Sequence, residues 1–151
     1  MCNNLVLKRM TNCLEDCDFL YSLQTIPNVR NLSLIKDIPE KSSHIKWFEK
    51  YIDLPECCIY RVVDSEENIG MIRINLLDGI GELSIIINPL FSGKGYAKKA
   101  IGKVTKRFNN IALHAVIHQE NIASIKAFEV NGFVYHSVYQ GEFNLYKREV
   151  L

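Results

Sequence analysis

The sequence predicts an α/β (α+β) domain with a mixed, mostly antiparallel central sheet of about seven strands and four helices. Three observations lead there. Between Cys57 and Asn88, three short runs rich in branched residues are separated by turn signals, which reads as hairpin-linked strands. After them, two helical patterns alternate with an apolar strand, and a last pair of strands closes around Gln140-Gly141. Strands grouped first and helix–strand alternations second rule out a strict βαβ series. The 151 residues suit one domain spanning 1–151.

The elements follow in order. Asn4 to Met10 (NLVLKRM) reads as a first strand. Thr11 or Asn12 can cap the helix that follows, with Glu15 three residues after Asn12 as a capping box wants. Leu14, Cys17, Phe19, Leu20 and Leu23 recur at helical spacing, and Pro27 is read as the stop. Asn28 to Pro39 is mixed, part helix and part loop. Ser42 or Ser43 can cap a second helix whose stripe is Ile45, Phe48 and Ile52, closed by Pro55. Cys57–Asp64 and Ile69–Leu76 form a hairpin around the polar turn SEEN. Asp78-Gly79 turns the chain into a fourth strand, Gly81–Asn88, which Pro89 stops. A third helix runs from Gly95 to about Asn109 on Ala97, Ala100, Ile101, Val104 and Phe108. Ile111–His118 is an apolar fifth strand, expected to be buried on both faces. Asn121–Asn131 is the fourth helix, with Gly132 just past its end. Phe133–Tyr139 and Phe143–Val150 make the closing hairpin.

Composition narrows the function. The net charge is +1 and the Lys and Arg residues are dispersed, so the sequence argues against a nucleic-acid partner, which needs clustered cations. No run approaches the roughly 18 apolar residues of a membrane span, and MCNNLVLKRM lacks a signal-peptide core, so a cytoplasmic protein is expected. Cys2, Cys13, Cys17, Cys57 and Cys58 contain no Cys-x-x-Cys pair, and no His completes a zinc set around Cys13 and Cys17. Reduced thiols and no metal are the expectation. A monomer or a homodimer is open.

The chemistry concentrates between Gly81 and Lys99. An apolar strand runs into a loop where two glycines bracket a lysine before a helix opens. The first N–H groups of a helix have no partner within it, and with the positive end of the helix dipole they make an anion site. The loop is not a P-loop, because Lys94 is followed by Gly95 rather than by Ser or Thr.

The segment Ser92-Gly93-Lys94-Gly95-Tyr96-Ala97 resembles the acetyl-CoA signature of the GNAT acetyltransferase superfamily, in its bacterial amino-sugar and ribosomal-protein branch. That signature is Arg or Gln, two variable residues, Gly, a variable residue, then Gly or Ala, and Ser92 is the one departure. A second segment, Glu120 to Phe133, is similar to the family's second half. The resemblance implies a GNAT acyl-CoA N-acyltransferase fold and acetyl-CoA as co-substrate. Main-chain N–H groups from Gly93 to Ala97 would hold its pyrophosphate. Asn121 and Ser124 would bond the pantetheine arm or the loop around it, and Phe128 would lie near the thioester. Pantetheine would pair with exposed backbone of strand four at Ile86, Ile87 and Asn88.

The resemblance also places a catalytic carboxylate at Glu82. From the residues alone, Glu82 is either a general base or the partner of a cation such as Arg73. Neutralising an α-amino group of pKa about 8 at pH 7 costs roughly 1.4 kcal/mol, and a lysine of pKa about 10.4 roughly 4.6 kcal/mol, so one carboxylate suffices for the first. The family's tyrosine acid is replaced by Phe128. Either the thiolate leaves assisted only by backbone N–H groups and the helix dipole, or Tyr96, Tyr139 or Tyr146 serves as donor; His118 is a second candidate base. The segments PNVRNLS and HIKWFEKYI are similar to enzymes acting on nucleotide-linked amino sugars, which would place Arg30, His44 and Trp47, with Tyr139, at a small-molecule amine. Acetylation of protein N-termini and a catalytically silent acyl-CoA-binding module are the competing readings.

Overall fold

The computed structural model describes residues 4–150. In order these are β1 (Leu5–Arg9), α1 (Leu14–Gln24), α2 (Pro27–Asn31), α3 (Lys41–Tyr51), β2 (Cys57–Asp64), β3 (Glu67–Leu77), β4 (Ile80–Ile87), a 3-10 turn (Pro89–Phe91), α4 (Tyr96–Arg107), β5 (Ala112–His118), α5 (Ile122–Glu129), β6 (Val134–Gln140) and β7 (Phe143–Arg148). The seven strands form one sheet in the order β1-β2-β3-β4-β5-β7-β6. Only β4 and β5 pair in parallel, because α4 carries the chain back across the sheet between them. The other five pairings are antiparallel.

Strand alternation divides the core in two. On one face, Ile72, Ile74, Leu83, Leu113, Ala115 and Ile117 meet Ala100, Ile101 and Val104 of α4 and Phe128 of α5. On the other, Cys57, Ile59 and Met71 meet Cys17, Leu20 and Leu23 of α1 and Phe48 of α3. This second layer covers β2 and β3 and leaves His114 and Val116 half-buried, so β5 is not buried on both faces as expected. The turn at Asp78-Gly79 has positive φ at both residues, 52° and 77°, as a tight hairpin requires.

Local corrections have physical causes. The capping box at Asn12 and Glu15 does not form. Cys13 is the N-cap of α1, and the Asp16 carboxylate accepts the Thr11 N–H at 2.9 Å because buried Arg61 holds it from β2 at 2.6 Å. Pro27 opens α2 rather than only ending α1, since a residue without an N–H suits the first helical position. Helix α3 starts after Glu40 with no side-chain cap, not at Ser42 or Ser43. Cys13, Cys17, Cys57 and Cys58 are free thiols, and Cys2 lies outside the described residues. Among the described residues, no helix is long and apolar enough to cross a membrane.

Candidate active site

The sheet opens where its parallel pair ends. β4 and β5 are in register only from Ile80 opposite Ala112 to Leu83 opposite Ala115. Beyond that, Ser84–Ile87 stay with β3, and Val116–His118 stay with β7. The Asn88 N–H donates to the Ile69 carbonyl at 2.9 Å. Antiparallel ladders alternate, so Ile86 also spends its main-chain groups on β3, while those of Ile85 and Ile87 point into the gap. Of the three backbone positions expected to pair with pantetheine, Ile87 turns its main-chain groups to the gap, as Ile85 does, while Ile86 and Asn88 turn theirs to β3. The Asn88 side chain instead accepts the Leu90 N–H at 3.1 Å and caps the 3-10 turn.

A cleft of about 610 Å³ fills the gap and runs to the start of α4. Ile86, Ile87, Ser92, Gly93, Gly95, Tyr96, Ala97, Asn121 and Ser124 all line it. Gly93 and Gly95 have φ of 76° and 82°, and a Cβ on either would project into open space. Gly95 is the N-cap of α4 with no side-chain bond, so the helix start is dressed by no acceptor of its own residue. Lys98 and Lys126 line the cleft, and no Asp or Glu among the described residues does. The wall therefore suits a long ligand with an apolar arm and a polyphosphate. Lys94 is exposed beside the loop, its ammonium 5.8 Å from the centre of the Phe91 ring.

Helix α5 supplies the opposite wall. The Asn121 side chain accepts the Ser124 N–H at 3.3 Å, fixing the helix start. Positions 121, 124 and 127 follow helical spacing along the cleft. Phe128 falls on the other side. It is buried, edge-on to Phe133 with ring centres 4.9 Å apart, and does not reach the cleft. Helical phase thus turns Phe128, expected near the thioester, into the core. The fourth contributor, α2 with the residues just after it, brings Asn28, Val29, Leu32 and Ser33 of the PNVRNLS segment, which was expected at the acceptor rather than along this cleft. Pro27 at the first position of α2 was the available signal.

On the α1/α3 face beside the gap, Glu82 is exposed, opposite Asn75 of β3 and His114 of β5. Burial, then Lys147, holds the half-buried His114 imidazole below its usual range, which keeps it neutral. His114 was missed in the sequence because its nearness to Glu82 exists only through strand register. Arg73 lies opposite Ser84, with its guanidinium 5.8 Å from the centre of the half-buried Trp47 ring.

A model of the acetyltransferase (GNAT) domain matches residues 4–134. The chain belongs to the GNAT acetyltransferase family. It is an acetyl-CoA-dependent N-acetyltransferase. A search of curated proteins finds no sequence match. Among solved structures, a domain from Methanocaldococcus jannaschii superposes with a TM-score of 0.84 at 20% identity, covering 96% of this chain and 97% of that one. Spermidine N-acetyltransferase from Vibrio cholerae, solved with CoA and spermine, gives 0.81 at 20% identity, with 95% and 93% covered. RimL, a ribosomal L7/L12 alpha-N-protein acetyltransferase solved with CoA, gives 0.83 at 15% identity, with 98% and 95% covered. At these identities the likeness is one of fold.

Within the GNAT frame, several expected site residues serve the scaffold instead. The Arg30 guanidinium donates to the carbonyls of Ile35 and Asp37 and folds the loop after α2. His44 is buried, with Nε2 3.0 Å from the Cys17 carbonyl oxygen, tying α3 to α1. His118 accepts the Glu120 N–H on Nδ1 at 3.0 Å, so its proton is on Nε2, which donates to Glu142 at 3.1 Å. With both nitrogens engaged it has no free lone pair for a substrate proton. Tyr96 donates its hydroxyl to Asp64 at 2.6 Å, Tyr146 is buried in the core with burial raising its pKa, and Tyr139 is exposed on the edge strand β6.

Proposed function

We propose that this GNAT enzyme acetylates a small primary amine by direct transfer, with acetyl-CoA along the β4/β5 gap and Glu82 as the general base. The observation that carries this reading is the unpaired backbone of Ile85 and Ile87 beside a cleft that ends at an uncapped helix start. Pantetheine would add to β4 as a short strand does, and the pyrophosphate would meet the N–H groups from Gly93 to Ala97.

Acetyl-CoA supplies the acetyl group as an activated thioester. The residues of this chain hold it, exclude competing charge and keep the amine neutral. Glu82 stands on the rung before the strands part, so its carboxylate can take the amine's proton directly or through one water. Its partner His114, held neutral, can accept the same proton. A nucleotide-linked amino sugar is the acceptor we favour, since the Trp47 ring on this face offers a flat apolar wall.

The test is acetyl-CoA binding by calorimetry together with thiol release over a panel of amines. Saturable binding and amine-dependent release are expected. Turnover confined to peptide N-termini would move the acceptor to proteins. Saturable binding with release no faster than hydrolysis on every amine would make the protein a silent acyl-CoA-binding module.

A further inference from the structure

We propose that Arg73 is an anion receptor in the acceptor site, so that the amine this enzyme acetylates also carries a carboxylate or a phosphate. The inference rests on the acetyltransferase reading above and narrows its substrate class.

Among the described residues the Arg73 guanidinium makes no salt bridge, although the Glu82 carboxylate acts on it at longer range. The Arg73 Nε is buried and has no hydrogen-bond partner among the described residues. No hydrogen bond or ion pair of its side chain occurs among them either; its close contact is the Trp47 ring, which offers a π-face and no acceptor oxygen. Cys57 and Glu82 are its other electrostatic neighbours; burial holds the thiol in its neutral form, and the Glu82 carboxylate forms no salt bridge with Arg73. A buried arginine stays charged, and leaving its donors unmet is costly. The buried Arg61 of the same sheet behaves otherwise, 2.6 Å from the Asp16 carboxylate.

The position of this unmet charge points to the acceptor. Arg73 is in register with Ser84, and Glu82 lies one step along the same face of β4. Such diagonal neighbours are about 7–8 Å apart. One small molecule can therefore place its amine at Glu82 and a second group at Arg73. The planar fork of a guanidinium fits a carboxylate or phosphate through two parallel N–H donors. Trp47 holds the fork from one side. The same charge repels a polycation, which separates this site from one that takes polyamines.

The test is steady-state thiol release with matched acceptors: glucosamine against glucosamine 6-phosphate, alaninamide against alanine, and spermidine. At least one anionic member should exceed its neutral match by about 30-fold in kcat/KM, and which pair shows the gap tells phosphate from carboxylate. Arg73→Met should raise KM for that anionic amine by about 30-fold while KM for acetyl-CoA stays within about twofold. Arg73→Lys should recover part of the loss, and Arg73→Glu should shift preference toward spermidine. Equal use of neutral and anionic amines by the wild type overturns the inference. So does an Arg73→Lys enzyme that loses thermal stability and kcat with KM unmoved, the mark of a structural role. Failure of every amine to release thiol from a protein that binds acetyl-CoA overturns the acetyltransferase reading itself, and this inference with it.

Discussion

Glu82 and His114 face each other across the only parallel pairing in the sheet, one rung before β4 and β5 separate. A carboxylate and a neutral imidazole thus stand together at the mouth of the gap.

Glu82→Gln keeps the side-chain shape and removes the proton acceptor. It should lower kcat by about 10²-fold. Acetyl-CoA affinity by calorimetry should not change. A kcat within threefold of wild type, with a flat pH profile, would remove Glu82 from the chemistry. His114→Gln is the companion: if it, and not Glu82→Gln, abolishes the acidic limb of kcat/KM, the imidazole is the base.

Gly95→Ala probes the loop. At φ of 82° a side chain is strained, although its Cβ would meet no protein atom. The melting temperature should fall by an amount matching about 1–2 kcal/mol. The new methyl also stands where the phosphates would approach, so acetyl-CoA should bind at least tenfold more weakly. Unchanged affinity would place the pyrophosphate elsewhere.

His44 should make stability pH-dependent. Burial depresses its pKa although the Cys17 carbonyl opposes that shift. The unfolded chain therefore binds a proton more readily, and the contribution is fully present above the unfolded pKa of about 6.5. It is lost as pH falls from there toward the lower folded value. His44→Gln should flatten this part of the profile in urea titrations between pH 7 and pH 5.

Phe128 tests the division between core and cleft. Its ring is buried against Phe133, so Phe128→Ala should destabilise the fold by about 3–5 kcal/mol in denaturant titrations. Phe128→Leu should cost less and keep acetyl-CoA affinity. Loss of affinity in the stable leucine variant would bring the ring back to the ligand.

Much of the cofactor side was legible in the sequence. The glycines at 93 and 95, the helix start at Tyr96 and the Asn121 cap involve residues within a few positions of one another. Short-range sterics and hydrogen bonds suffice to write them. The candidate acceptor side was less legible: Trp47 packs on the α1/α3 layer, while His44 and Arg30 turned to main-chain carbonyls.

By itself, then, the sequence determined the strand–loop–helix unit from Gly81 to Lys99, the mixed sheet around it and the acetyltransferase family. Tertiary structure decided which backbone groups face the gap, that Phe128 is core, that His114 stands beside Glu82, and that the buried Arg73 Nε has no hydrogen-bond partner among the described residues. The reason is register. A one-residue slip between strands exchanges the faces of every side chain and the direction of every main-chain group. Partners such as Glu82 and His114 are 32 positions apart in the chain and become neighbours only when the sheet closes.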